Sequence, residues 1–206
     1  DNNYIPWGNA YNNNNAFGGI LNNAGDLAVT NLLMAHNAGS TRGAIAVMGG
    51  TADIVNVTLV DNPYSGITAG GTAIVKVLNS IIWGNGVCGI EDKTSSGNGY
   101  YVSYSISQES HIGDGVVVKD PVFVDNRYYH LFSAKGYVVG YFGGGWSTTR
   151  PRPGIGRGSP GIDAGAPSFG TLDEPMPAGH RLNLGAYGGT EWASLSPGLP
   201  SLFIIR

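Results

Sequence analysis

Three stretches decide the fold: VTNLLMAHN (29–37), IVNVTLVDN (54–62) and VLNSIIWGN (77–85) align without a gap. Each holds two asparagines six apart: Asn31 and Asn37, Asn56 and Asn62, Asn79 and Asn85. The first members are 25 and 23 residues apart, a period that marks a repeat architecture. Upstream, NYIPWGN repeats the spacing with Asn3 and Asn9; downstream, VSYSISQ (102–108) puts Tyr104 in the first asparagine's place. Five coils of about 23 to 28 residues are therefore expected over roughly 1–118.

Within a coil the apolar residues alternate and change phase at the first asparagine. Val29, Ile54 and Val77 stand two before it; Leu32 and Val57 follow by one; Met34, Leu59 and Ile82 follow by three. Period two on both sides of a corner means strand, turn, strand, with no helical stripe. Asparagine suits the corner because it leaves the strand conformation at small cost. The expected fold is an all-β parallel solenoid in which these eight apolar side chains point inward. Asn31, Asn56 and Asn79 are expected to stack as an amide ladder. The competing fold is an antiparallel sandwich with Asn-rich turns, but the repeats carry no hairpin dipeptide at a fixed offset.

Composition agrees. Glycine (34) and asparagine (18) fill a quarter of 206 positions and disfavour helices. Apolar residues at 42% allow a core. Net charge is −3, which argues against a nucleic-acid partner. No apolar run approaches the ~20 residues of a membrane span, and Cys88, the single cysteine, excludes an internal disulfide. A chain that starts at Asp1 reads as a processed product or an excised piece.

The motifs GGILNNAGDLAVTNLLMAHN and VLNSIIWGN resemble the right-handed parallel β-helix repeats of secreted bacterial proteins. DPVFVD (120–125), YYHLFS (128–133), SPGIDAGAP (159–167) and DEPMPAGHRLNLGAYGGTEWASLS (173–196) resemble the tail of such helices, of the choice-of-anchor type. The resemblance implies coils over 1–118, a Gly- and Pro-rich tail or cap over 119–206 packed on the last coils, and an extracellular or cell-surface location. It does not imply an activity, since one scaffold serves lyases, hydrolases, adhesins and structural proteins.

The candidate chemistry is sparse. Residues one coil apart lie about 4.8 Å from each other, which stacks Asp53 on Lys76 and His36 on Asp61. The first is expected to be an inter-coil ion pair and the second a corner pair; a catalytic base is the alternative for each. The histidines lack metal-site spacing, and Asp120 and Asp125 read as turn caps with Ca²⁺ ligation as the alternative. No metal or cofactor is expected. Eleven of 21 aromatics fall between 100 and 146, and Arg150, Arg152 and Arg157 form the one basic cluster. With Tyr141 and Trp146 these are candidates for binding a surface polysaccharide. Tyr4 and Trp7 at one end and Leu202, Phe203, Ile204 and Ile205 at the other are candidates for head-to-tail association of copies, although an excised piece would also present such ends. The expected function is a non-catalytic structural or adhesive solenoid, with a filament subunit joined head-to-tail as one form of it; a polysaccharide lyase, a glycosidase or a glycan-binding module is the alternative.

Overall fold

In the computed structural model, residues 19–37, 41–139, 145–147 and 158–197 are described. Twelve strands form four rungs. The first rung is β1 (Ile20–Asn22), β2 (Asp26–Thr30) and β3 (Leu33–Ala35); the second is β4 (Ile45–Val47), β5 (Thr51–Val55) and β6 (Thr58–Val60). β7 (Ile67–Gly71), β8 (Ile74–Leu78) and β9 (Ile81–Trp83) make the third, and β10 (Ile90–Thr94), β11 (Tyr100–Ser103) and β12 (Ile106–Ser107) the fourth. Equivalent strands pair in parallel and in register, giving three four-stranded sheets: A (β1, β4, β7, β10), B (β2, β5, β8, β11) and C (β3, β6, β9, β12). The fold is thus an all-β parallel solenoid, not a sandwich.

The chain makes about three turns between its first and last strand of sheet A, fewer than the five coils expected. The first expected coil, with Asn3 and Asn9, lies outside the described residues. Beyond β12 the chain no longer coils. Residues 113–117 run across the end instead: Asp114 O accepts from Tyr104 N, Val117 O from Ser107 N, and Val117 N donates to Ser105 O. The corner after β11 and the last edge of sheet C are in this way paired by the chain's own backbone.

The expected inward column is observed. Val29, Ile54, Val77 and Val102 pair in series, as do Met34, Leu59 and Ile82, all buried in one cluster with Leu32 and Val57. The corner explains the phase change. Asn31, Asn56, Asn79 and Tyr104 all adopt left-handed backbone, with φ of 51°, 52°, 52° and 42°. Three of the four are asparagine, a residue type that tolerates that region. A second left-handed corner follows at His36, Asp61 and Gly84, with φ of 57°, 52° and 69°. The first three rungs thus carry two such corners each, and the fourth carries one.

The tail is irregular, with one 3-10 turn at Pro167–Phe169 and an antiparallel pair, β13 (Tyr137–Val139) and β14 (Gly145–Ser147). It does not sit on the last coils alone. It runs along the outer face of sheet C from the first rung to the fourth. Tyr129 and Ala186 pack on Leu33, Ala35 and Val60, while Leu131 and Leu184 pack on Ile81 and Ile106.

Candidate functional site

The outer face of sheet B carries polar groups in the open. Its strands alternate exposed and buried residues, and its columns read Ala28–Asp53–Lys76–Tyr101 and Thr30–Val55–Leu78–Ser103. Four strands about 4.8 Å apart make a face about 14 Å wide. A shallow depression of about 390 Å³ lies on it, lined by Asp53, Val55, Lys76, Val77, Leu78, Tyr101 and Ser103. Tyr101 is 61% exposed, so its ring faces solvent from the strand next to Lys76.

The two carboxylate stacks anticipated in the sequence exist. Lys76 Nζ stands 3.9 Å from Asp53 Oδ1, with both side chains more than 60% exposed. At that separation and exposure the pair is a weak surface interaction. His36 and Asp61 occupy the same corner in adjacent rungs, but their partner is a third residue. Tyr129 OH donates to Asp61 Oδ2 at 2.8 Å and lies 2.9 Å from His36 Nε2. A carboxylate only accepts, so the phenol's single hydrogen goes to Asp61 and His36 Nε2–H must donate to the phenol oxygen. Tyr129 is buried and also meets Phe123 edge-on, so the triad fastens the tail to the corner.

The amide ladder runs at the other asparagine of each pair. Asn37 N and Nδ2 donate to Asn62 Oδ1 at 2.9 and 3.3 Å; Asn62 N and Nδ2 donate to Asn85 Oδ1 at 3.2 and 2.8 Å. Gln108 ends it, accepting from Asn85 N at 2.8 Å and donating to Asn85 O at 2.9 Å. The expected ladder residues share a corner but turn outward to the tail. Asn31 Nδ2 donates to Ala186 O and Gly188 O, and Asn56 Nδ2 to Gly188 O, each at 3.0 Å. Asn79 Oδ1 accepts from Ala166 N at 2.7 Å. The reason is geometric: the six-residue spacing sends one asparagine of each pair inward and the other to the flank. The 23-residue step from Asn85 to Gln108 was the readable signal for the true ladder.

The inner end of the last rung holds a second polar group. His111 Nε2 lies 2.9 Å from Ser107 Oγ and its Nδ1 3.3 Å from Tyr100 OH. Burial holds the His111 imidazole below its ordinary range, with Glu109 acting the other way. Glu109 Oε1 accepts from Gly89 N at 2.5 Å and Ile90 N at 3.4 Å, capping the edge of sheet A. Cys88 Sγ meets Ser65 Oγ at 3.3 Å, and burial pushes its thiol up, away from the reactive thiolate.

Asp120 Oδ1 accepts from Val122 N, and Asp125 Oδ1 from Arg127 N and Tyr128 N, as expected of turn caps. Among the described residues no three His, Cys, Asp or Glu side chains are grouped to hold a metal ion. Arg150, Arg152, Arg157, Tyr141, Tyr4, Trp7, Leu202, Phe203, Ile204 and Ile205 lie outside the described residues, and of Trp146 only the β14 backbone is placed. Among the described residues no helix is long and apolar enough to cross a membrane.

No family model, curated protein or solved structure matches the chain.

Proposed function

We propose that the chain is an extracellular, non-catalytic adhesive β-solenoid that holds an extended polysaccharide against the outer face of sheet B. The observation that carries this reading is the unequal coverage of the coils. The tail seals the outer face of sheet C with apolar contacts, whereas sheet B keeps an open depression carrying Tyr101, Lys76, Asp53 and Ser103. An exposed tyrosine ring offers a flat apolar platform for a sugar, and the ammonium, carboxylate and hydroxyl beside it can bond ring substituents. The parallel columns repeat about every 4.8 Å, which suits a polymer better than a single small molecule.

The test is a glycan array with the wild-type chain and the Tyr101→Ala variant. Binding to one polysaccharide class, weakened about tenfold or more by Tyr101→Ala, is the expected result; a loss of that size is about 1.4 kcal/mol. Absence of any glycan binding by the wild-type chain overturns the reading. Release of cleavage products from the bound polymer replaces it with the lyase or glycosidase alternative. Head-to-tail assembly rests on residues outside the described range, and light scattering of the same preparations tests it separately.

A further inference from the structure

The loop 183–189 is one of the places where the tail grips the coils. Gly185 N donates to Asn79 O at 2.8 Å and Ala186 N to Thr58 Oγ1 at 3.0 Å; the carbonyls of Ala186 and Gly188 receive the Asn31 and Asn56 amides. Two buried ionisable side chains hold this loop. Glu174, 8% exposed, accepts with Oε1 from Asn183 N at 2.6 Å and from Gly189 N at 2.9 Å, so one carboxyl oxygen ties the two ends together. His130, 7% exposed, lies flat on the ring of Tyr187 in mid-loop, with centroids 4.0 Å and planes 11° apart. Its Nδ1 is buried with no hydrogen-bond partner, so a proton added there would meet no acceptor. Tyr187 OH in turn donates to Tyr128 O at 2.8 Å.

Neither side chain belongs to the ion pairs found among the described residues. The charged group that acts on Glu174 is Asp163, a like charge; the one that acts on His130 is Asp125, which also acts on Tyr187 together with Tyr128. Tyr137 is the other ring against His130, at 5.2 Å. We propose that Glu174 and His130 form an opposed pair that keeps the 183–189 loop seated on the coils across a wide range of pH, each cancelling the pH dependence the other imposes.

The signs follow from burial. Burial pushes the Glu174 carboxyl from 4.5 up to about 7, so the stability it lends is present below 4.5 and is lost as pH rises through about 7. Burial pushes the His130 imidazole from 6.5 down to about 4, so its contribution is present above 6.5 and is lost as pH falls through about 4. Between 4.5 and 6.5 the two slopes have opposite sign and similar size. In this window the closed loop holds both groups neutral, and on opening the proton that Glu174 releases is matched by the one that His130 takes up.

Amide hydrogen exchange at Gly185 and Ala186 reads the opening of the loop, after correction for intrinsic exchange, with Ile54 and Val77 amides reporting the coils. In the wild type the opening constant should vary less than about threefold from pH 5 to 7. Glu174→Gln leaves the imidazole alone, and opening should rise about twentyfold as pH falls from 7 to 5. His130→Phe keeps a ring on Tyr187 and leaves the carboxyl alone, and opening should rise about fortyfold as pH rises from 5 to 7. The double variant should be flat again. Single variants that are flat, or that slope the same way, overturn the proposal, as does a wild-type slope as steep as either. Should a variant not fold, carbon-13 NMR titration of the Glu174 carboxyl in the wild type decides: an inflection in the ordinary glutamate range overturns the pairing.

Discussion

Sheets B and C are built from adjacent strands of the same rungs, yet they face different surroundings. β5 and β8 alternate exposed and buried residues, whereas β3 and β6 are buried at every position. The sequences show the difference at once. TADIV and IVKVL place Asp53 and Lys76 between apolar neighbours, while LMA, TLV and IIW are apolar almost without interruption. Alternation marks a strand with one wet face, and a continuous apolar run marks a strand covered on both sides. In this chain the second cover is not another sheet but irregular tail, whose Leu131, Leu184, Tyr129 and Ala186 supply the contacts. A solenoid wall can thus be sealed by a segment with almost no regular structure, provided that corner side chains pair its backbone groups.

The comparison is sharpest at two isoleucines of the third rung. Ile81 points outward from sheet C and is 1% exposed beneath Leu184; Ile74 points outward from sheet B and is 44% exposed. Ile81→Ala should cost about 2–5 kcal/mol in chemical denaturation, because it leaves a cavity under the tail. Ile74→Ala should stay within about 0.5 kcal/mol, since the side chain is largely open to water and belongs to none of the core clusters. Equal costs at the two sites would show that the tail does not pack on sheet C.

The inner ladder comes next in size. Asn62 Oδ1 accepts from the main chain and side chain of Asn37, while its own amide reaches Asn85 Oδ1 and Met34 O. Asn62→Leu leaves several buried groups unpaired and should cost about 2–3 kcal/mol. Asn31→Leu breaks only bonds to the tail carbonyls of Ala186 and Gly188, at a half-buried site, and should cost about 1 kcal/mol. A larger loss at Asn31 than at Asn62 would return the structural role to the outer asparagines.

Much of the fold was legible because its signals are local. The corner asparagines, the eight-residue inward column and the Asp53–Lys76 stack all follow from a period of 23 to 25 residues. The three aligned repeats did not separate which asparagine of each pair enters the core, since both positions carry the same residue; only the fourth rung does, with Tyr104 at one and Gln108 at the other. Tyr129 was illegible for another reason. Its partners lie 93 and 68 residues away, and nothing near YYHLFS announces a histidine and an aspartate on a distant corner. The grip of Glu174 on Asn183 and Gly189 was hidden in the same way: a lone glutamate in a polar tail reads as solvated, and only burial reveals it.

The smallest expected effect is at the centre of the open face. Lys76 and Asp53 are both more than 60% exposed and 3.9 Å apart, so water screens their attraction, and holding two long side chains together loses entropy. Lys76→Ala should change stability by less than about 0.5 kcal/mol. Denaturation at low and high salt should give the same difference within error, because a pair this weak leaves little for salt to screen. A loss above 1 kcal/mol, removed by salt, would mean that the ammonium is bound into a wider network across the strands of sheet B. A negligible loss has its own meaning for the contrast between the two walls. Sheet C cannot exchange its outward residues without disturbing the tail. Sheet B can exchange the residues of its depression at almost no expense to the fold, and that is the condition under which a surface is open to being shaped by what it binds.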